Sequence, residues 1–445
     1  MNVVIAGAGK VGYYLAKELM IDNDVTIIDQ NEMAIENIEN SLDVLSICGN
    51  VEDPYTYRTI SEEIDLFIAV TNSDEVNLLS SLIIDNITQV KKKVVRLKNH
   101  FFKNDRVKQQ LGISHIITPA LQVAKNFNNI LDFPHVNNIK NFYFTKAFLL
   151  SIRVKESIEP KNISKIYDDF QQKAIVCGIE RDGTFFIPSF EDYIIANDLV
   201  YFLAFASKIE DLKKFTSSFE NERAIENCVI YGANDLGVEI AKVLSKKNIN
   251  IKIVDKKIEN CKIANRILKN KAEVIKNNYN LDSLLEQSIE NIDIFISATN
   301  NDEFNIAKCL EAKDKNIQKI IGIHNNLQYA PLMRKLGIEV IRGEKMATYH
   351  TILEKIISHK NLTTKRFCGG EGTISLLNID SSLDTDKLSR ELKTKNFKNS
   401  SLFVIRDKKI MPYKDATNLQ EDDLLIINIK TQSSKDALKC LSKIY

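Results

Sequence analysis

Three glycines near the start of the chain have the G-x-G-x-x-G spacing that binds the diphosphate of a nucleotide: Gly7, Gly9 and Gly12. They lie between an apolar run at residues 3–6, a predicted strand, and a predicted amphipathic helix. The first glycine permits a tight turn, the second lets pyrophosphate approach the backbone, and the third lets helix and strand pack closely. The free N–H groups and the positive dipole end of the helix would hold the anion. An ordinary strand-to-helix turn is the alternative explanation of the motif.

An acidic residue, Asp29, ends the second predicted strand (residues 25–29), about twenty residues after the glycines. At this position a carboxylate can accept hydrogen bonds from the ribose hydroxyls of adenosine. Residues 30–34 contain no Arg or Lys that could neutralise a 2′-phosphate, so the sequence favours NAD(H) or an adenine nucleotide over NADP. The alternative roles of Asp29 are a helix cap or a surface charge.

Polar residues also follow the predicted strand at residues 66–70, at the sheet edge where open α/β folds bind ligands. Among them we expect Thr71 and Asn77 to face the nucleotide, although helix capping also explains residues 71–75. Arg96 lies among apolar neighbours in the predicted strand at residues 94–97. An unpaired guanidinium is costly there, so Arg96 should contact a phosphate or a carboxylate.

No catalytic or metal-ligating pattern is found. The six histidines form no HExxH motif, and the seven cysteines include no CxxC pair. The net charge of +1 gives no electrostatic basis for nucleic-acid binding. No stretch approaches the roughly 18–20 apolar residues that span a bilayer. We therefore expect a cytoplasmic protein that does not itself form a transmembrane pore.

The chain contains an internal duplication with a period of roughly 225 residues. Residues 3–12 are echoed by residues 228–237, and residues 65–75 by residues 293–303. In the second copy Asn234 replaces the middle glycine, Asp255 retains the acidic position, and Gly322 stands where Arg96 stands in the first. We expect the second site to be weak, to be selective for a different nucleotide, or to be purely structural.

The predicted fold class is α/β, with two Rossmann-like doubly wound parallel-sheet domains, each followed by a small α+β domain. Apolar strands alternate with helical patterns in each repeat, whereas residues 142–219 and 401–427 contain strands separated by turn residues. The predicted domains are residues 1–132, 140–222, 226–350 and 363–445. Polar or Gly/Pro-containing linkers are expected near residues 133–141, 221–227 and 363–370.

This four-part order resembles the TrkA family of Trk system potassium uptake proteins, which are tandem RCK (regulator of K⁺ conductance) subunits. The resemblance covers nearly the whole chain and rests on the glycine motif, Asp29, the Gly49-Asn50 pair, the segment beginning at Thr71, and Arg96. It implies a non-enzymatic regulatory subunit, peripheral at the inner face of the cell membrane. It also implies a homotetrameric ring beneath a potassium-translocating membrane subunit, gated by NAD(H) and in some members by ATP or ADP.

The motifs and the resemblance together predict the nucleotide-binding residues. In the first repeat they are Gly7, Ala8, Gly9, Lys10, Val11, Gly12, Asp29, Asn50, Thr71, Asn72, Asn77 and Arg96, and in the second Gly232, Asp255 and Thr299. Two other functions stay open. One is an NAD-dependent dehydrogenase with an unrecognised substrate site, because a Rossmann fold alone does not decide function. The other is a scaffold that has lost ligand binding.

Overall fold

The computed structural model describes residues 1–60, 62–102, 104–133, 136–142, 145–215, 225–279, 281–282, 292–326, 328–357, 361–394, 397–416, 418–434 and 437. Its residues form two compact units. The first contains Met1–Val123 and Arg342–Ile356, and the second contains Ala124–Ile341 and Ile357–Tyr445. Within the described residues no helix is long and apolar enough to cross a bilayer.

The first unit contains a six-stranded sheet whose neighbouring strands pair in parallel. In spatial order its strands are Leu45–Cys48, Asp24–Asp29, Asn2–Ala6, Leu66–Ala69, Lys93–Arg96 and His115–Ile117. The helices of this unit are Lys10–Leu19, Glu32–Glu39, Asp74–Ile87, Asp105–Gln110 and most of Glu344–Ile357, while Pro119–Asp132 contains the boundary in the chain. Strand order reverses at Asn2–Ala6, which pairs on one side with the second strand and on the other with the fourth. Doubly wound sheets bind ligands at such a reversal.

The Lys10–Leu19 helix packs on this sheet through the expected apolar stripe, because Val11, Leu15 and Leu19 are all buried in the core. The Glu344–Ile357 helix adds buried Tyr349, Ile352 and Leu353 to the same core. The end of the expected 226–350 domain therefore belongs to the first unit. Sequence order alone does not indicate which sheet a following amphipathic helix will cover.

The second unit contains another six-stranded sheet with the same order of strands. They are Glu273–Lys276, Asn250–Asp255, Asn227–Tyr231, Ile294–Ser297, Lys319–His324 and Glu339–Arg342. The accompanying helices are Asp235–Leu244, Ile258–Leu268, Asp302–Asp314 and Tyr329–Lys335. The pairings of the first five strands are parallel, so both repeats have the expected Rossmann-like architecture.

Two five-stranded antiparallel sheets complete the second unit. The first orders Thr184–Phe186, Ala174–Arg181, Leu199–Phe205, Ala147–Arg153 and Asn138–Asn141, and the second orders Lys409–Pro412, Ser400–Arg406, Leu424–Lys430, Gly372–Asn378 and Leu362–Phe367. Their helices are Ile163–Asp169, Ala206–Ile209 and Thr385–Leu392. The sheets share one apolar cluster, in which Tyr201 of the first lies 5.0 Å from Phe367 of the second between ring centroids.

One expected linker is wrong. Residues 363–370 were expected to connect domains, but Leu362–Phe367 is an edge strand paired with Gly372–Asn378. Thr363 and Thr364 are β-branched and buried in this strand, and such residues favour strands over loops. Parts of the other two expected linkers, residues 134–135 and 221–224, lie outside the described residues.

Short elements connect the rest. Two-residue strands pair Glu63–Ile64 with Gln89–Val90 and Lys161–Asn162 with Tyr193–Ile194. Short 3₁₀ helices occur at Pro54–Tyr57, His100–Phe102, Glu210–Phe215, Ser245–Lys247, Lys269–Lys271, Cys368–Gly370 and Tyr413–Asp415.

Candidate functional site

A cavity of about 400 Å³ lies at the carboxyl edge of the first Rossmann sheet. This volume is in the range of small-molecule and cofactor sites. Its lining residues come from the loops that follow the first four strands: Gly7, Gly9, Ile28, Asp29, Gln30, Asn31, Ala34, Asn50, Val51, Glu52, Val70, Thr71, Asn72, Ser73 and Val76. The cavity therefore lies at the reversal of strand order, where the sequence predicts the nucleotide.

The three glycines have different structural roles. Gly7 has a φ of +111°, and a Cβ there would lie 3.1 Å from the backbone nitrogen of Thr71. A Cβ on Gly12 would lie only 1.8 Å from the carbonyl oxygen of Gly7. Gly9 differs from both, because its φ of −68° and ψ of −176° suit any residue and a Cβ there would have no neighbour within 4 Å among the described atoms. The protein thus needs Gly7 and Gly12 for its own packing, whereas Gly9 leaves open space at the start of the helix.

The Lys10–Leu19 helix begins at Gly9 with no capping hydrogen bond from a side chain in the described part of the chain. The first N–H groups of any helix lack intrahelical acceptors. Together with the helix dipole, they attract an anion. The open space at Gly9 therefore faces a position that suits pyrophosphate.

Asp29 is half-buried at the end of its strand, and backbone groups orient its carboxylate. Its Oδ2 accepts a hydrogen bond from the Ala8 nitrogen at 2.7 Å, and its Oδ1 accepts one from the Asn31 nitrogen at 2.9 Å. Each carboxylate oxygen can accept more than one hydrogen bond, so Asp29 retains acceptor capacity towards the cavity. Asp29 and Glu52 are the charged residues of the lining. That negative charge disfavours an additional 2′-phosphate on the ribose.

Thr71 and Asn77 form one hydrogen-bond network below the fourth strand. Asn77 Oδ1 accepts from the Thr71 nitrogen at 2.9 Å and from Thr71 Oγ1 at 2.7 Å. Asn77 Nδ2 donates to the Thr71 carbonyl at 3.1 Å and to the Arg96 carbonyl at 2.9 Å. Asn77 is 1% exposed and is not in the cavity lining, whereas Thr71 is. The Asn77 amide therefore holds the Thr71 loop, and Thr71 rather than Asn77 lies at the cavity.

Arg96 lies at the end of the fifth strand and is 6% exposed. Burial lowers the pKa of its guanidinium, while the carboxylates of Glu344 and Asp74 oppose that shift. Its Nε has no hydrogen-bond partner among the described residues. Glu344 and Asp74 are thus the candidate carboxylate partners of Arg96 in the same unit.

The other predicted residues divide between lining and support. Asn50 and Asn72 line the cavity, with Gly7, Gly9, Asp29 and Thr71. The residues Ala8, Lys10, Val11, Gly12 and Arg96 are not part of that lining, and Val11 and Gly12 are buried. The sequence prediction missed the neighbours Ile28, Gln30, Asn31, Ala34, Val51, Glu52, Val70, Ser73 and Val76. Most of them could have been found from the sequence, because they lie close to the carboxyl ends of the predicted strands.

The predicted residues of the second repeat occupy matching positions in the second unit. Gly232 has a φ of +112° and Thr299 repeats the network of Thr71, with its nitrogen 3.1 Å from Asn305 Oδ1. Asp255 is only 4% exposed. In the described part of both units, no group of three or more His, Cys, Asp or Glu side chains could hold a metal ion.

The chain matches the TrkA-N domain family at residues 3–119 and again at residues 228–342. These two segments coincide with the two Rossmann-like repeats. Together they cover more than half of the sequence. The duplication is explained because the same domain family matches twice.

Full-length relatives have the same extent as this chain. It is 28% identical over 431 residues to a Trk system potassium uptake protein TrkA homolog of Archaeoglobus fulgidus, covering 96% of this chain and 97% of the relative. It is 23% identical over 459 residues to the Trk system potassium uptake protein TrkA of Vibrio alginolyticus, covering 98% of each. Among solved structures, the GsuK channel bound to NAD superposes with a TM-score of 0.64 at 14% identity, covering 99% of this chain and 79% of that one. The structural likeness supports the fold.

Proposed function

Because the chain belongs to the TrkA-N domain family, we propose that it is a cytosolic regulatory subunit that binds NAD(H) or an adenine nucleotide and thereby gates a Trk-type potassium-translocating membrane protein. The observation that carries the proposal is the cavity at Gly9. It combines open space, an uncapped helix start and an oriented carboxylate at the reversal of strand order.

Each part of a dinucleotide has a complementary group in this cavity. The pyrophosphate fits the helix start at Gly9. The adenosine ribose fits Asp29, whose oxygens can accept from its hydroxyls. Apolar lining from Ile28, Val51 and Val76 suits the flat surface of a base. NAD(H) is the ligand we favour, with ADP or ATP as alternatives, because all of them present the same adenosine and pyrophosphate.

The function we propose is regulation rather than catalysis. Full-length relatives are named as potassium uptake proteins, and a solved neighbour is named as a channel bound to NAD. A dehydrogenase would require a general acid or base beside the nicotinamide. Turnover of NADH with a small carbonyl substrate would favour that alternative.

Gating follows from a difference in affinity between two conformations. A nucleotide shifts an equilibrium only to the extent that it binds one conformation more tightly than the other. In the proposed assembly four chains form a ring at the inner face of the membrane, and the ring transmits that difference to the potassium-translocating subunit.

The test is potassium or rubidium flux in vesicles that contain the Trk-type membrane subunit and the full-length chain. NADH and ADP are added in separate series, and vesicles without the chain serve as the control. We expect a nucleotide-dependent change in flux that requires the chain. A flux that is unaffected by nucleotide and by the chain would refute the proposal.

A further inference from the structure

The two Rossmann repeats can be aligned through equivalent backbone hydrogen bonds. The Gly7 nitrogen donates to the Ile28 carbonyl and the Gly232 nitrogen to the Val254 carbonyl, both at 2.8 Å. After the third strand of the first repeat, the Gly49 nitrogen donates to the Asp29 carbonyl at 3.0 Å. In the second repeat, the nitrogen of residue 277 donates to the carbonyl of Asp255 at 3.1 Å. Each residue of the first cavity therefore has a defined counterpart in the second repeat.

Asn234, the counterpart of Gly9, fills the helix start in the second repeat. Its backbone has nearly the same conformation, with φ −79° and ψ −178°. Its Oδ1 accepts from the Gly237 nitrogen at 2.9 Å, and its Nδ2 donates to the Ala298 carbonyl at 2.9 Å. The side chain thus accepts the hydrogen bond of an N–H group that a phosphate oxygen would otherwise accept. It also links the start of the helix to the end of the fourth strand.

Three aromatic side chains replace small ones around the same location. Tyr231, Tyr279 and Phe304 are the counterparts of Ala6, Val51 and Val76, and the last two of these line the first cavity.

The three rings pack together as a cluster. Tyr279 lies 5.1 Å from Tyr231 and 5.0 Å from Phe304 between ring centroids. Tyr279 is 6% exposed and has a φ of 61°, so a left-handed backbone conformation accompanies its burial. Aromatic pairs at these distances contribute attraction beyond the burial of their surface. A base could enter only after this cluster separated.

Asp255, the counterpart of Asp29, is hydrogen-bonded on several sides by the protein. Its Oδ2 accepts from the Ala233 nitrogen at 2.9 Å and from Asn260 Nδ2 at 3.0 Å, and its Oδ1 accepts from the Lys257 nitrogen at 2.9 Å. Burial, and next the negative charge of this carboxylate, raise the pKa of Tyr279. Donors of the protein, including the Asn260 amide, thus already bind the carboxylate that would otherwise accept from ribose hydroxyls.

We propose that the second repeat is closed to nucleotide by its own side chains, with Asn234 in the pyrophosphate position and Tyr279 and Phe304 in the nucleoside position, so that each chain binds one nucleotide, in the first repeat. This inference rests on the proposed function only in assuming that the first repeat binds nucleotide. Only the first repeat then senses nucleotide, whereas side chains of the protein itself fill the equivalent cavity of the second repeat.

The test is the stoichiometry of NADH, and separately of ADP, on the full-length chain, measured by titration calorimetry and by native mass spectrometry. We expect one nucleotide per chain. Binding should weaken at least about tenfold in Gly9→Asn, which places in the first repeat the residue found in the second. It should be unchanged in Asn234→Ala. Two nucleotides per wild-type chain, or one that is lost in Asn234→Ala and kept in Gly9→Asn, would overturn the inference.

A gain-of-binding variant tests the same inference from the other side. Asn234→Gly combined with Tyr279→Gly and Phe304→Val removes the internal occupant, and we expect a second nucleotide per chain. If that variant does not fold, Val76→Phe in the first repeat replaces it, because it should abolish the single site. A folded triple variant that still binds one nucleotide, or a Val76→Phe chain with unchanged affinity, would contradict the closure. A wild-type chain that binds none would instead refute the proposed function.

Discussion

Replacing Gly9 by asparagine should separate ligand binding from folding. The position has an extended backbone and empty space beside it, and asparagine already occupies the equivalent position 234 in the second unit with nearly the same dihedral angles. The Gly9→Asn side chain should cap the Lys10–Leu19 helix and fill the place of the pyrophosphate. We therefore expect a folded protein that binds nucleotide poorly.

The structure gives the sign and approximate size of both effects. Removing the flexibility of a glycine in a compatible conformation stabilises a fold by about 0.4–1 kcal/mol, and an asparagine cap adds a few tenths. A hydrogen bond to a charged phosphate contributes about 1.5–3 kcal/mol, so losing one or two costs about 1.5–6 kcal/mol of binding free energy, with about 2–4 kcal/mol as the central range. That corresponds to a roughly 30- to 1000-fold rise in Kd.

The measurements are thermal or denaturant unfolding without ligand and calorimetric titration with NADH. Asn234→Ala is the matched control, because it should lose about 1 kcal/mol of capping energy and leave the affinity unchanged. A Gly9→Asn protein that unfolds more easily than wild type, or that binds NADH within a factor of three of wild type, would show that Gly9 serves the fold rather than the ligand.

Three further predictions concern stability. Gly12→Ala places a Cβ 1.8 Å from the carbonyl oxygen of Gly7 and should lower the unfolding free energy of the first unit by about 1–3 kcal/mol; an unchanged melting temperature would contradict this. Burial and nearby lysines lower the pKa of His115 to about 4, so the folded state favours the neutral imidazole. Its contribution to the free energy of unfolding is complete above about pH 6.5, the pKa of an unfolded histidine. This contribution should be lost as the pH falls from about 6.5 towards 4. The loss should be on the order of 1 kcal/mol after solvent screening, and a His115→Gln variant with the same pH profile would rule out this residue as the cause. In the second unit, Arg334 Nε donates to Glu180 Oε1 at 3.0 Å in a largely buried ion pair. Glu180→Ala should therefore lower the free energy of unfolding by about 3–5 kcal/mol. A decrease of less than about 1 kcal/mol in denaturant unfolding would show that the ion pair does not stabilise the fold in this way.

Much of the fold follows from local pattern. The strands Asn2–Ala6 and Leu66–Ala69 lie within a residue of the predicted runs, because short β-branched segments bounded by turn residues are a strong local signal. The tandem order was visible because the duplication preserves both motifs. The Leu362–Phe367 strand was missed, since its alternation includes polar residues and a glycine pair follows it.

The site was less predictable, because whether a polar side chain faces the ligand depends on which of its hydrogen bonds are already made within the protein. Asn77 and Thr71 follow the same strand, but in the fold the Asn77 amide hydrogen-bonds to the backbone of Thr71 and of Arg96, and nothing in the sequence distinguishes the two residues in this way. In the second repeat, the closure by Tyr231, Tyr279 and Phe304 involves positions far apart in sequence. No single one of them breaks the nucleotide motif, so the sequence signalled the substitution at Asn234 but not the aromatic cluster. Its other comparison, Gly322 with Arg96, is wrong by one residue, because Asn305 Nδ2 donates to the Ile323 carbonyl as Asn77 Nδ2 donates to the Arg96 carbonyl.

The central claim, that nucleotide bound at Gly9 controls potassium movement, is tested most directly by a dose-response measurement of rubidium uptake. Vesicles with the membrane subunit and either wild-type or Gly9→Asn chain are titrated with NADH, and the half-effect concentration is compared with the Kd of each chain. Because binding and conformational change are linked, we predict that both quantities shift together, by roughly 30- to 1000-fold. A half-effect concentration that stays constant while the Kd rises would contradict the claim.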